Sequence, residues 1–131
     1  MTREIGCKMA SQSLFQKYGG FAKVSRVVLA FYDKVLDSEQ IGDFFDEIDM
    51  SRLVDHQTKF IASILGGPAS YTNERLHQLH AHIGISDDDF DEMAKLLNEA
   101  LEERGFEPGD REAVMQEIES RRNFIVSRNG A

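Results

Sequence analysis

Cysteine is almost missing from this chain: Cys7 is the single thiol in 131 residues. No disulfide can form within the chain, and a reducing cytoplasmic setting is the natural expectation. Proline is nearly as scarce, with Pro68 and Pro108 alone, so helices can run long between those two points. No stretch approaches the run of about 20 apolar residues that a membrane span needs. Met1 to Ala10 lacks the apolar h-region of a signal peptide, and residues 1–10 are expected to form an N-terminal extension. Positive charge is short too. Fifteen Lys and Arg face 23 Asp and Glu, for a net charge of -8 and a pI near 4.9. Such a surface repels phosphate backbones and anionic lipid, so no nucleic acid and no membrane is expected as a partner. Strand patterning, internal repeats and low-complexity linkers are all missing.

What remains is a length that suits one domain, expected over residues 11–128, with 41% hydrophobic and 29% charged residues. The apolar period is helical throughout, so the fold class is all-α. A short helix is predicted over 12–18, ending at Gly19-Gly20. The next is predicted from Phe21 to Leu36, with Val24, Val27, Val28, Phe31 and Val35 on one buried face and Tyr32 beside them. Ser38 should cap a short turn leading to Phe44-Phe45. A helix from Ser51 to Leu65, capped by Asp49 or Ser51, carries Leu53, Gln57, Phe60, Ile61 and Ile64 on one side and stops at Gly66-Gly67-Pro68. Residues 73–82 read as a short polar helix rich in histidine. Ser86 opens a longer helix, with Asp87, Asp88 and Asp89 in its first turn and Phe90, Met93, Leu97 and Leu101 facing inward, as far as Gly105. The last helix is predicted from Asp110 to Val126.

Chemistry is concentrated in the histidines. His56 sits beside Gln57, one turn past Leu53, and His80 lies 24 residues on, beyond the Gly66-Gly67-Pro68 break. His77 and His80 share a face, but no third or fourth zinc ligand is near them in the sequence. Haem suits the pattern better. Its iron takes an axial histidine from a helix, and the porphyrin needs an apolar slot with aromatic walls. Phe31, Phe44, Phe45, Phe60, Phe90 and Ile61 can supply such walls, or plain core. Tyr32 and Gln57 interrupt faces otherwise built of Val, Phe and Ile. A buried hydroxyl or amide without a partner costs about 1–3 kcal/mol. A bound diatomic ligand would be such a partner.

Five stretches in order carry a resemblance: Leu14 through Gly20, Phe31 through Leu36, Phe44-Phe45, Met50 through Pro68, and Leu79 through Ile85. Together they resemble the truncated haemoglobins, the two-over-two globins, of the first group, over roughly residues 12–126. The resemblance implies a two-over-two helical sandwich around haem b. The proximal ligand falls on His80, four residues before Gly84. The distal tyrosine falls on Tyr32, the haem-wedging phenylalanine on Phe45, the distal glutamine on Gln57 and the apolar gate on Leu53. His77 and His82 match no role and read as solvated. His56 divides the family. Many members carry a lysine there that reaches a haem propionate, whereas cyanobacterial members carry a histidine that can bind iron as sixth ligand. The distal helix is thus similar to the cyanobacterial type, and the resemblance implies that His56 binds iron in the ligand-free protein and is displaced by an added ligand. The chain departs from that type at Leu53, where a glutamine is usual, and at Ser120, where a histidine can link to a haem vinyl. Non-covalent haem b follows from the second departure.

The resemblance implies binding of O2, nitric oxide and carbon monoxide, with oxidation of nitric oxide to nitrate as a reaction that needs a separate reductase. The competing class is a bis-histidyl haem protein for electron transfer or for gas or redox sensing. The third is a helical interaction domain without haem. Fold alone does not choose among them.

Overall fold

The structure is a computed structural model, and it describes residues 13–67, Glu74, His80 and residues 83–126. Six α-helices and one 3-10 turn are defined among these residues, and no β-strand. α1 spans Leu14–Lys17, α2 Phe21–Leu36, α3 Met50–Ile64, α4 Asp87–Glu103, α5 Pro108–Glu119 and α6 Arg122–Ile125. The 3-10 turn is Gly42–Phe45. Glu74 and His80 are helical. The remainder of the helix predicted over 73–82, with His77 and His82, lies outside the described residues, as does the expected extension 1–10.

The ends of these helices follow from local chemistry. Ser13 caps α1 through a reciprocal box with Gln16, and Ser86 caps α4 through one with Asp89. Asp49, not Ser51, caps α3, accepting from the backbone N–H groups of Ser51 and Arg52. α3 stops in a Schellman turn: Gly67 donates to the Ala62 carbonyl at 2.7 Å and Gly66 to that of Ser63 at 3.2 Å. Gly66 has φ +90°, a conformation glycine adopts without strain. A Cβ on Gly67 would stand 2.8 Å from Phe15 Cδ1 and 2.9 Å from the Ala62 carbonyl oxygen. The missing side chain is what lets α1 lie against the end of α3, where Phe15 also donates its N–H to the Leu65 carbonyl.

α2 is the central element. It packs on α3 along one side and on α4 along another, while α5 lies against both α3 and α4. Two layers result, α2 with α3 and α4 with α5. Val24, Val27, Val28, Phe31 and Val35 are buried in one core, as their spacing predicts, and Tyr32 is buried with them. α4 buries Phe90, Leu96, Leu97, Ala100 and Leu101, whereas Met93 is half-buried. Its inner face is therefore broader than the Phe90–Met93–Leu97–Leu101 stripe expected from spacing.

The C-terminal region departs from the sequence reading. One helix over Asp110–Val126 was expected, and two are found. α5 begins at Pro108, a favoured first-turn residue, and ends at Ser120; a turn at Arg121 separates it from α6. Just past the break, the Arg122 guanidinium pairs with Glu119, Asp91 and Asp87 and lies 4.5 Å from the centre of the Phe90 ring. Those carboxylates, Glu119 first, raise the Arg122 pKa well above its ordinary value.

Candidate haem site

A large cavity opens between the two layers of the described residues. Its volume is about 190 Å3, open to solvent on one side. α2 contributes Phe31, Tyr32 and Val35 to the wall, and the 3-10 turn contributes Phe44 and Phe45. α3 contributes Leu53, Gln57, Phe60 and Ile61. Opposite them stand His80, Ile83 and Ile85, then Asp89, Met93 and Leu97 of α4, with Ile118 and Ile125 closing the end. Four polar residues stand in this otherwise apolar wall: Tyr32, Gln57, His80 and Asp89.

Seven of the eight residues singled out from the sequence meet here: Tyr32, Phe45, Leu53, Gln57, Phe60, Ile61 and His80. The eighth, His56, is exposed on α3 and is not part of the lining. Phe90, one of the aromatics considered for the slot, is fully buried in the core and stays outside the lining. It packs beneath Arg122 instead.

Tyr32 is the most constrained polar group of the site. Its ring touches Phe31 at 4.8 Å and Phe45 at 5.7 Å between centroids, both edge-on. It is 5% exposed, and burial pushes its phenol pKa far up, so the hydroxyl keeps its proton. Among the described residues that hydroxyl has no hydrogen-bond partner. A buried donor of this kind calls for a ligand acceptor. The cavity also suits the porphyrin: its walls are aromatic and aliphatic, and among the described residues one imidazole, His80, shares the lining with Tyr32 and Gln57. The residues present fit haem.

Sequence reasoning missed Asp89 as a wall residue, having read it only as a first-turn charge. It also missed Ile41, Ile83, Ile85, Ile118 and Ile125. Ile41, Ile83 and Ile85 lie between helices, where no periodic signal marks a wall residue; Ile118 and Ile125 lie on α5 and α6, where spacing marks packing but not a cavity.

Residues 13–127 match the family model described as bacterial-like globin. The chain belongs to this globin family. Among curated relatives, the group 1 truncated hemoglobin GlbN of Mycolicibacterium paratuberculosis is 37% identical over 98 residues, 75% of this chain and 72% of the relative. The group 1 truncated hemoglobin of Tetrahymena pyriformis is 32% identical over 94 residues, 72% of this chain and 78% of the relative. Among solved structures, the 2/2 hemoglobin of Synechococcus sp. PCC 7002, described in the cyanomet state with covalently attached heme, superposes with a TM-score of 0.81 at 29% identity. That alignment covers 89% of this chain and all of the other. The globin is therefore of the first truncated group, with the two-over-two sandwich that the sequence predicts, and haem is its cofactor. No helix among the described residues is long and apolar enough to cross a membrane.

Proposed function

We propose that this globin is a cytoplasmic binder of O2, nitric oxide and carbon monoxide, built as one domain over 11–128 on non-covalent haem b. Haem supplies an iron with one axial position for a protein ligand and one for a small gas. His80 would take the first position. Its other ring nitrogen would donate to a nearby acceptor and so fix the imidazole plane. Phe45, Leu53, Phe60 and Ile61 would wall the porphyrin and exclude water. Tyr32 and Gln57 would donate hydrogen bonds to the gas. Tyr32 carries the reading, because the residue is buried, keeps its proton and lines the cavity with a hydroxyl that has no partner among the described residues. Oxidation of nitric oxide by O2 to nitrate is the reaction such a site suits, with a separate reductase restoring the ferrous state. Ser120 caps the end of α5 and offers no nucleophilic imidazole to a vinyl group, which supports non-covalent attachment.

A second reading makes His56 the sixth ligand, for electron transfer or for gas or redox sensing. Its support is the position of His56 on α3 directly before Gln57. Because His56 is exposed and outside the lining, that state requires α3 to turn or slide toward the cavity.

Absorption spectra of the haem-loaded protein test both. The expected result is a Soret band that shifts on adding O2, carbon monoxide and nitric oxide to the ferrous form. Six-coordinate low-spin bands without added ligand favour the second reading. A protein that takes up no haem contradicts both.

A further inference from the structure

Of the four polar residues in the cavity wall, the proposed function uses three. Asp89 is left over, and it is the one carboxylate among the described lining residues. Its geometry is fixed. Asp89 Oδ2 accepts from the Ser86 N–H at 3.1 Å, and Ser86 Oγ accepts from the Asp89 N–H at 3.1 Å. The other oxygen, Oδ1, accepts from Gln40 Nε2 at 3.0 Å. These two donors come from distant parts of the chain: Ser86 directly precedes α4, and Gln40 precedes the 3-10 turn. Both oxygens therefore have a donor, and the first-turn amides of α4 favour negative charge at this point. Its neighbours differ. Asp87 and Asp88 are exposed and line no part of the cavity, and Asp87 turns to Arg122 at 3.0 Å.

We propose that Asp89 is a redox-tuning residue, a fixed carboxylate in the cavity wall that favours ferric over ferrous haem. The inference rests on haem occupying this cavity. One-electron reduction lowers the positive charge of the iron centre by one. A fixed negative charge at the wall then loses part of an attraction, so reduction becomes less favourable. The size of the effect depends on screening. An apolar, partly closed cavity screens less than open solvent, where exposed charges are damped by water and salt. The same carboxylate at the protein surface would do little. The functional consequence is that the gas-binding ferrous state needs a stronger reductant than the cavity without this charge would require.

The test is the midpoint of the ferric/ferrous couple in the haem-loaded protein, read by spectroelectrochemistry, with Asp89→Asn and Asp88→Asn compared. Asp89→Asn removes the charge and keeps the shape. The ferrous-to-ferric ratio at a fixed electrode potential is expected to rise about tenfold, equivalent to about 59 mV for a one-electron couple. Asp88→Asn changes the net charge equally, one residue away on the exposed side, and is expected to shift the ratio less than threefold. Asp89→Ser, which keeps an acceptor for the helix start, gives a second neutral side chain should the amide disturb the fold. Equal shifts from the two Asn variants would mean only net charge matters, and the proposal falls. It also falls if haem binds with an unchanged Soret band and neither neutral Asp89 variant moves the midpoint. A parent protein that binds no haem overturns the proposed function, and this inference with it.

Discussion

The ring of Phe45 meets the ring of Tyr32 edge-on, with centroids 5.7 Å apart and planes at 71°. The contact joins the 3-10 turn to α2 and holds the Tyr32 phenol in one orientation inside the cavity. A hydrogen bond from this hydroxyl to a bound gas that carries partial negative charge contributes about 1.5–3 kcal/mol. Tyr32→Phe should then speed O2 dissociation at least tenfold, since about 1.4 kcal/mol is a factor of ten. Phe45→Leu removes an aromatic contact of about 0.5–1.5 kcal/mol and should speed dissociation less. Stopped-flow off-rates check the order, and an unchanged rate in Tyr32→Phe would mean the hydroxyl does not serve the gas.

Gly67 is a packing requirement as well as a helix stop. A Cβ there would press on the Ala62 carbonyl oxygen at 2.9 Å and on Phe15 at 2.8 Å. The carbonyl cannot yield without breaking the Schellman bond. Gly67→Ala is expected to lower unfolding free energy by about 1–3 kcal/mol, the usual range for overpacking. Denaturant melts measure it, and a loss under 0.5 kcal/mol would show that α1 moves away freely.

Much of this architecture could be read from the residues. Gly66-Gly67 and Gly105 stop helices where the sequence places them, and Ser86 opens α4 as expected. Seven of the eight residues singled out from the sequence line one cavity, because a polar Tyr32 or Gln57 on an apolar face, and a histidine past a helix break, are local signals. The break between α5 and α6 was not legible. Residues 114–125 keep a continuous helical period without glycine or proline, and the contacts made just past the break, Arg122 to Asp87 and Asp91 on another helix, are tertiary. The wall position of Asp89 was hidden for the same reason. Its partner Gln40 is 49 residues away, and only tertiary packing brings them together.

Asp110 ties the start of α5 to α1. Its carboxylate accepts from Lys17 Nζ at 2.7 Å and from the Tyr18 hydroxyl, whose oxygen in turn accepts from the Glu107 N–H at 3.0 Å. The Tyr18 ring stacks on Phe106 at 3.9 Å. The Lys17 and Tyr18 hydrogen bonds hold the Asp110 pKa below its ordinary 3.8. A depressed carboxylate stabilises the fold above its unfolded pKa, and that stability is lost as pH falls through the folded value. The stability difference between the parent and Asp110→Asn should be full at pH 7 and shrink below about pH 4. Urea midpoints from pH 7 to 2.5 measure it; a difference that is constant down to pH 2.5 would contradict the pairing.

His56 separates the two readings of function. As an exposed residue outside the lining, it should be replaceable. His56→Ala is expected to leave the ferrous spectrum and the gas-binding rate of the haem-loaded protein within about twofold of the parent. If His56 closes the site, the variant would lose low-spin bands and bind ligand faster, by the inverse of the open fraction.

His80 is the residue on which haem binding turns. Haem content per chain, together with the ferrous spectrum, should be measured for the parent and for His80→Ala, each expressed with haem supply. The expected result is loss of most of the haem from His80→Ala, with any remainder showing an altered Soret band, and partial recovery of the parent spectrum on adding imidazole. Full haem content with an unchanged spectrum in His80→Ala would contradict the assignment of His80 as the axial ligand.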